Sequence, residues 1–560
     1  MTMPLSLLTS LDGHVRKRPD APFLTITVQG EEDTYSFSRF QAEALDFARR
    51  FQALGTKPDD VVFIVLKHGA ALYTAFVGAM YAGAIPSFLP FPTPKQDADH
   101  YWSSHRALFQ HVKPAVVLTY GANMAPVANS LAGLTTALVD IDALPPAAGP
   151  MRLDRRDAPG ETAFLQHSSG TTGLKKGVML SFGKVAAQVA SYSAVLDFGP
   201  QDIIASWLPV YHDMGLISSF IMPLTVGAQV VSVDAFEWVA RPPMLMELIE
   251  RHRATFCWLP NFAFNHLATT RPKGRVFDLS CIRSFISCSE PCKTETFEKF
   301  GKLYAADGVR PEMLTTCFAM AEAVFAVSQS VIGAAPRTVS VDLALLSREN
   351  RVEVVETASR AGQFLSNGTP VPGIDLRINT EDGPVVWSPG ANTKCSGEIE
   401  IRGVSVFNGY YKNIQYTEAA FSDGWYRTGD IGFLFEGELY ICGRMKEMLI
   451  VNGRNYYAND IEEICGSIKG IKPGRAVAFA LFDERTQSEV AVVVAEMAEP
   501  MDPGGVRTVQ RAVKQAVFDR LELTLQRVLL VEVGWLIKTT SGKIVRDQNA
   551  LKYRASLGKK

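Results

Sequence analysis

Gln166-His167-Ser168-Ser169-Gly170-Thr171-Thr172-Gly173-Leu174-Lys175-Lys176-Gly177 is the stretch on which the reading of this chain turns. Two hydroxyl pairs flank Gly170, and two further glycines flank the lysines. Glycine reaches φ > 0 at little cost, so such a loop can fold back tightly. Its backbone N–H groups and hydroxyls then converge on one anion, and its lysines neutralise that anion. The stretch predicts a phosphate-holding loop. It is not a Walker A loop, which needs G-x-x-x-x-G-K-[ST], because the residue five after Gly170 is Lys175. Nor does it carry the G-x-G-x-x-G spacing of a dinucleotide fingerprint. For the loop taken alone, a flexible Ser/Thr/Gly surface segment is the alternative.

The surrounding chain narrows the choice. Its 560 residues are 47% hydrophobic and 20% charged, a globular composition too long for one core. A net charge of −2 gives no reason to expect nucleic acid as a partner. Eight cysteines in so long a chain are not a disulfide framework. Cys281, Cys288, Cys292 and Cys317 cluster loosely but show no zinc-site spacing. Buried thiols in a reducing compartment are expected. Ala70 to Pro94 is free of charge, yet Gly78, Gly83, Pro86, Pro90 and Pro92 break it. A membrane span wants about 20 continuous helical apolar residues; a buried helix, a turn and a short strand are predicted instead. With Pro4 and no early basic residue, the N-terminus does not read as a secretory signal. The expected location is the cytoplasm, with no stable membrane insertion.

Periodicity predicts an amphipathic helix over 7–18, strands over 23–28 and 34–37, and a helix over 40–54. The continuous apolar run Val61 to Leu66 predicts a buried strand. Strand-like runs at 115–118, 136–139 and 163–166 then alternate with helical patterns, which implies α/β layers. A helix is predicted over 182–195. Further along come Tyr211-His212-Asp213-Met214-Gly215-Leu216, Pro260-Asn261-Phe262-Ala263, Ser287-Cys288-Ser289-Glu290-Pro291 and Phe318-Ala319-Met320-Ala321-Glu322. His212 beside Asp213 invites a catalytic pair, but adjacent side chains on a strand point to opposite faces and need not touch. Taken in isolation, the aromatics around Phe262 read as core. Trp425-Tyr426-Arg427-Thr428-Gly429-Asp430, Gly443-Arg444-Met445-Lys446-Glu447, Gly453-Arg454-Asn455-Tyr456-Tyr457 and Lys538-Thr539-Thr540-Ser541-Gly542-Lys543 follow in order. Alone, Thr428-Gly429-Asp430 would be an ordinary turn and the last segment a solvated basic terminus. Between Glu322 and Gly368 the apolar runs 339–346 and 352–355 predict ordered structure rather than a plain connection.

These motifs, in this order, resemble the adenylate-forming superfamily of acyl-CoA synthetases, peptide-synthetase adenylation domains and luciferases. The versions around Tyr211, Met320 and Gly453 are most similar to those of fatty acyl-AMP ligases. The superfamily's loop usually has proline where this chain has Lys175. Cys288 and Ser289 replace Gly-Ala in the adenine-side turn, Ala319 replaces a glycine, and Ala458 replaces a proline. The resemblance implies an α/β fold with a large domain over 1–442, a hinge over 443–446 and a small mobile α+β lid over 447–560. It implies that Ser168, Ser169, Gly170, Thr171, Thr172, Gly173 and Lys176 hold ATP phosphates. It places Ser289 and Phe318 at adenine, and Asp430 and Arg444 on the ribose. Glu322 is implied as a Mg²⁺ ligand and Lys543 as the catalytic lysine. His212 is implied at the reacting carboxyl, with Tyr211, Asp213, Asn261, Phe262 and Met320 along the acyl pocket and Lys446 as the pivot.

The implied reaction is ATP-dependent conversion of a carboxylic acid, expected to be fatty, into acyl-AMP with release of pyrophosphate. Transfer to the thiol of an acyl carrier protein would follow. An acyl-CoA or aryl-CoA ligase that uses free CoA, and a non-catalytic nucleotide- or acyl-binding relative, are the alternatives.

Overall fold

A computed structural model describes residues 6–93, 98–144, 146, 157–167, 175–356, 361–451, 454–483, 488–538 and 544–557. Among these residues the largest sheet has nine strands. They run in the order Thr369–Pro370, Ala326–Gln329, Leu314–Ala319, Ser284–Ser287, Phe256–Leu259, Ile203–Ser206, Gln229–Val233, Pro22–Val28 and Glu31–Ser36. From Leu314–Ala319 to Pro22–Val28 the neighbours are parallel. Their side chains are accordingly buried on both faces and apolar, as in Phe256-Cys257-Trp258-Leu259. A second, four-stranded parallel sheet orders Ile85–Phe88, Val61–Ile64, Val116–Thr119 and Ala137–Asp140. The charge-free stretch after residue 69 forms the helix Ala70–Tyr81 and the strand Ile85–Phe88, both inside the protein. No helix among the described residues is long and apolar enough to cross a membrane.

A mainly antiparallel third sheet holds Gly383–Val386, Ile374–Thr380, Gly397–Gly403 and Trp425–Phe435, and Glu438–Arg444 pairs with the last of these. After the short turn Met445–Glu447 the chain enters a small C-terminal domain. It opens with Met448–Val451 paired to Arg454–Tyr457 and continues with a three-stranded sheet of Ile471–Asp483, Ser488–Met497 and Leu525–Val531. The helix Pro503–Leu521 starts cleanly because the Asp502 carboxylate accepts from Gly505 N at 2.6 Å and Pro503 lies in the first turn. Its Val509, Val513, Val517 and Leu521 recur every four residues and face the core.

The described residues of this region, 338–356 and 361–365, form regular structure, as its apolar runs predict. It folds as the strand Thr338–Asp342, the helix Leu343–Glu349 and the returning strand Ala361–Leu365. Val339, Val341, Leu343, Leu346 and Phe364 belong to one buried cluster with Phe433 and Tyr440 of the third sheet. The same cluster includes Tyr457, Ile461, Val513 and Val517 of the small domain. The segment therefore joins the two domains through shared apolar burial.

Leu346 is fully buried in that shared core. Leu346→Ala should cost about 2–5 kcal/mol through lost transfer energy and a residual cavity. Equilibrium denaturation should show a lower midpoint; an unchanged midpoint would mean that the segment contributes nothing to the joint core.

Candidate active site

Four of the candidate segments leave the carboxyl ends of four adjacent parallel strands. Trp207 to Asp213 follows Ile203–Ser206, and Pro260-Asn261 follows Phe256–Leu259. Cys288-Ser289-Glu290 follows Ser284–Ser287, and Met320 to Glu322 follows Leu314–Ala319. In open α/β sheets this edge is where ligands bind, because the loops converge there.

Tyr211-His212-Asp213 does not lie on a strand. The three residues lead into the π-helix Met214–Ile221, and the Asp213 carboxylate accepts from Met214 N at 2.9 Å. A π-helical turn is a frequent mark of a functional site. Gly215 is needed in this turn, since a Cβ there would sit 2.3 Å from the Pro209 carbonyl oxygen. The His212 ring lies 5.1 Å from that of Tyr211. Ser289, at φ +66°, directs its hydroxyl to Met214 Sδ at 3.9 Å, so the Ser289 turn touches the π-helix. Glu290 Oε2 accepts from Phe262 N at 2.9 Å and ties the same turn to the helix Asn261–Thr269. Phe262 lies edge-on to Trp207 and Trp238, which stack on each other 3.8 Å apart. Asn261 Oδ1 is buried with no hydrogen-bond partner among the described residues. Phe318 and Met320 are buried beside this cluster.

Glu322 stands on a single 3₁₀ turn, Ala321–Ala323. The Tyr410 hydroxyl donates to its Oε1 at 2.9 Å and lies 3.4 Å from the Tyr426 hydroxyl. The turn ends at Val324, a buried β-branched residue at φ +66°. Such a conformation costs on the order of 1–3 kcal/mol and is typical of functional sites. Lys176 lies over the rings of Tyr410 and Tyr416, at 4.8 and 4.6 Å from their centroids. Burial, then the neighbouring Lys446, lowers its pKa, while Glu322 opposes the shift. Sequence analysis did not select Tyr410 and Tyr416. The signal available was the aromatic pair Tyr410-Tyr411 directly after Gly409.

Asp430 and Arg444 face each other on the paired strands Trp425–Phe435 and Glu438–Arg444, with Arg444 Nε donating to Asp430 Oδ1 at 2.9 Å. Asp430 is 4% exposed, and its Oδ2 has no hydrogen-bond partner among the described residues. Burial raises the Asp430 pKa despite Arg444, and Glu447 and Glu322 add to the rise. Lys446 and Glu322 thus act on Lys176, and Arg444, Glu447 and Glu322 act on Asp430, which makes Glu322 the charge common to both. Lys446 itself is exposed in the Met445–Glu447 turn.

One ion pair joins the small domain to this site, and Arg546 braces that domain against its own entry turn. Lys293, just after the Ser289 turn, pairs with Glu463 of the helix Ala458–Gly466. Arg546 donates to Glu447 at 3.0 Å and to Glu462 at 2.7 Å. Ser168, Ser169, Gly170, Thr171, Thr172, Gly173 and Lys543 lie outside the described residues. The flanks of their loops are described. His167 bonds Ser87 Oγ through Nδ1 at 2.9 Å, and Lys175 Nζ donates to His105 Nε2 at 3.3 Å. Burial lowers Lys175 to about 8. Lys538 and Ile544 bridge the base of the Lys543 loop.

Burial pushes the Asp460 carboxyl up to about 7, against the pull of Lys293. A raised folded pKa means that the stability contributed is full below the unfolded value of about 4 and is lost as pH rises through about 7. Asp460→Asn, which cannot ionise, should therefore gain on the wild type by on the order of 2 kcal/mol between pH 5 and pH 8. Thermal unfolding at the two pH values tests this, and a constant difference would refute it.

Comparison with known proteins agrees with this geometry. Residues 11–411 match the family model described as AMP-binding enzyme. The chain is 31% identical to the long-chain-fatty-acid–AMP ligase FadD26 of Mycobacterium marinum, over 94% of this chain and 92% of that protein. It is also 31% identical to the 4-hydroxyphenylalkanoate adenylyltransferase of Mycobacterium tuberculosis, over 88% of this chain and 82% of that one. In fold it superposes at a TM-score of 0.88 on a chain from structural and functional studies of fatty acyl-adenylate ligases from E. coli and L. pneumophila, with 24% identity and 100% and 98% coverage. The fatty acid AMP ligase of Legionella pneumophila gives a TM-score of 0.73 at 26% identity, covering 98% of this chain and 96% of that one. The chain belongs to the AMP-binding enzyme family and is an AMP-forming ligase related to the fatty acyl-AMP ligases.

Proposed function

We propose that the chain activates a fatty or related carboxylic acid as acyl-AMP and passes the acyl group to the phosphopantetheine thiol of a carrier protein. The observation that carries this reading is the meeting of Glu322, Lys176 and the Asp430–Arg444 pair at the carboxyl edge of the parallel strands. The carboxylate oxygen attacks the α-phosphorus of ATP and pyrophosphate leaves. The thiol then attacks the acyl carbonyl carbon and AMP leaves. Two anions meet in the first step, so positive charge must stand where negative charge develops.

The partnerless Oδ2 of Asp430 fits a ribose hydroxyl donor, with Arg444 as the second contact. A lone carboxylate suits Mg²⁺, which commonly takes one or two protein carboxylates plus substrate phosphates. Glu322 would hold the ion, which when bound neutralises phosphate oxygens. Lys176 and the Ser168–Gly173 loop hold the phosphates. Lys543 binds the carboxylate and α-phosphate together, which both neutralises and aligns them. His212 stands at the reacting carboxyl. Phe262, Trp207 and Trp238 line the acyl side, where a long acyl chain or an arylalkanoate would pack. We place the domain boundaries at 1–442 and 447–560, with 443–446 as hinge and Lys446 as pivot. Buried thiols such as Cys257, Cys288 and Cys317 suit the reducing cytoplasm.

The 338–365 segment supports a carrier protein over free CoA as acceptor. Its side chains share a core with the small domain in the observed pose. A bias of only about 1.4 kcal/mol toward that pose depletes any rotated pose roughly tenfold. Intact enzyme with ATP and a panel of fatty and arylalkanoic acids should acylate a holo carrier protein and leave CoA nearly untouched. Efficient acyl-CoA formation would overturn the carrier-protein assignment.

Lys543→Ala should slow acid-dependent pyrophosphate release by roughly 10²–10³ while ATP still binds, as expected for loss of one placed charge donor. Wild-type rates in that variant would remove Lys543 from the chemistry.

A further inference from the structure

The helix Pro503–Leu521 carries two faces. Val509, Val513, Val517 and Leu521 face the core. Arg507, Arg511, Lys514 and Phe518, spaced four, three and four residues apart, lie on the outward face and are exposed. Phe518 is 50% exposed, an unusual position for so large an apolar ring. Among the described residues no carboxylate lies within ion-pair distance of Arg507 or Arg511. The Lys514 ammonium donates only to a carbonyl, that of Gln526 at 3.2 Å. The nearby Asp519 is already engaged by Gln515 Nε2 at 2.6 Å. Between this face and residues 524–525 lies a shallow cavity of about 570 Å³, lined in part by Arg511, Lys514 and Phe518. The charge is regional: residues 447–560 hold 17 Lys and Arg against 14 Asp and Glu, in a chain whose net charge is −2.

We propose that this Arg507–Arg511–Lys514–Phe518 face is the docking surface for an acidic helical face of the carrier protein that receives the acyl group. The proposal rests on the carrier-protein reading above. Unpaired guanidinium and ammonium groups call for anions from the partner, and complementary charge chiefly speeds encounter and fixes orientation. The exposed ring supplies the aromatic anchor that such interfaces concentrate at their centre. The position suits the second half-reaction. Glu522, which caps this helix, lies 3.6 Å from Arg454 of the strand just past the hinge. A partner docked here is carried by the small domain as that domain turns.

The test uses the intact enzyme and the double variant Arg507→Glu/Arg511→Glu, with three readouts. Acid-dependent pyrophosphate release and acyl transfer to free pantetheine should stay at wild-type levels, which also reports an intact fold. The KM for holo carrier protein should rise roughly tenfold or more, because like charges now meet across the interface. Phe518→Ala should raise the same KM several-fold with adenylation unchanged. If wild-type enzyme makes acyl-AMP but acylates no carrier protein, the carrier reading falls and the docking proposal with it. If wild type acylates the carrier and the double variant has the same KM, the docking surface is wrong while the carrier reading stands. Wild-type binding to anionic lipid vesicles that the double variant loses, with no change in carrier KM, would assign the face to a membrane surface instead.

Discussion

The rest of the site depends on one buried carboxylate. Asp430 is held inside the protein by a single guanidinium, with one oxygen satisfied and the other without a partner. A buried acceptor left unpaired costs about 1–3 kcal/mol, more when charged. On the proposed reading, a ligand hydroxyl completes the pair. The strand that carries Arg444 ends there and turns directly into Met445–Glu447. Arg444 and the Met445–Glu447 turn are therefore one continuous piece of backbone.

The second constraint is topological. Parallel strands deliver their carboxyl ends to one edge of the sheet, and three of the four segments at that edge are tied together. Ser289 reaches Met214, and Glu290 holds the backbone of Phe262. Glu322 sits beyond the end of the next strand, on a turn that closes at the strained Val324. The two bonds tie the Met214, Phe262 and Ser289-Glu290 segments to one another. The small domain meets them through a charged contact, Lys293–Glu463. A part-exposed ion pair of this kind is worth little by itself, which on the proposed reading suits a contact that breaks when the domain turns.

Much of this was legible in the sequence. The strand at Val61–Ile64 and the helices at Leu7–Lys17 and Phe182–Leu196 follow from apolar runs and caps. The ordered segment around Leu346 followed from its apolar residues, but not its partners, because a contact with Val513 and Val517 is non-local. The π-helix at Met214 was missed, since local propensity does not separate it from a strand or an α-helix. Tyr410 and Tyr416 were missed because an aromatic beside a lysine reads as packing until Glu322 is placed next to them. Lys175 could be seen to replace a proline. That it is buried against His105 depends on a helix 70 residues upstream.

Everything turns on a carboxylate oxygen attacking the α-phosphorus, and isotope transfer reads that step directly. The enzyme is given ATP, a thiol acceptor and a carboxylic acid labelled with ¹⁸O in its carboxyl group, and the released AMP is weighed by mass spectrometry. An acyl-adenylate pathway leaves one ¹⁸O in each AMP. Unlabelled AMP, or ADP in its place, would contradict the account.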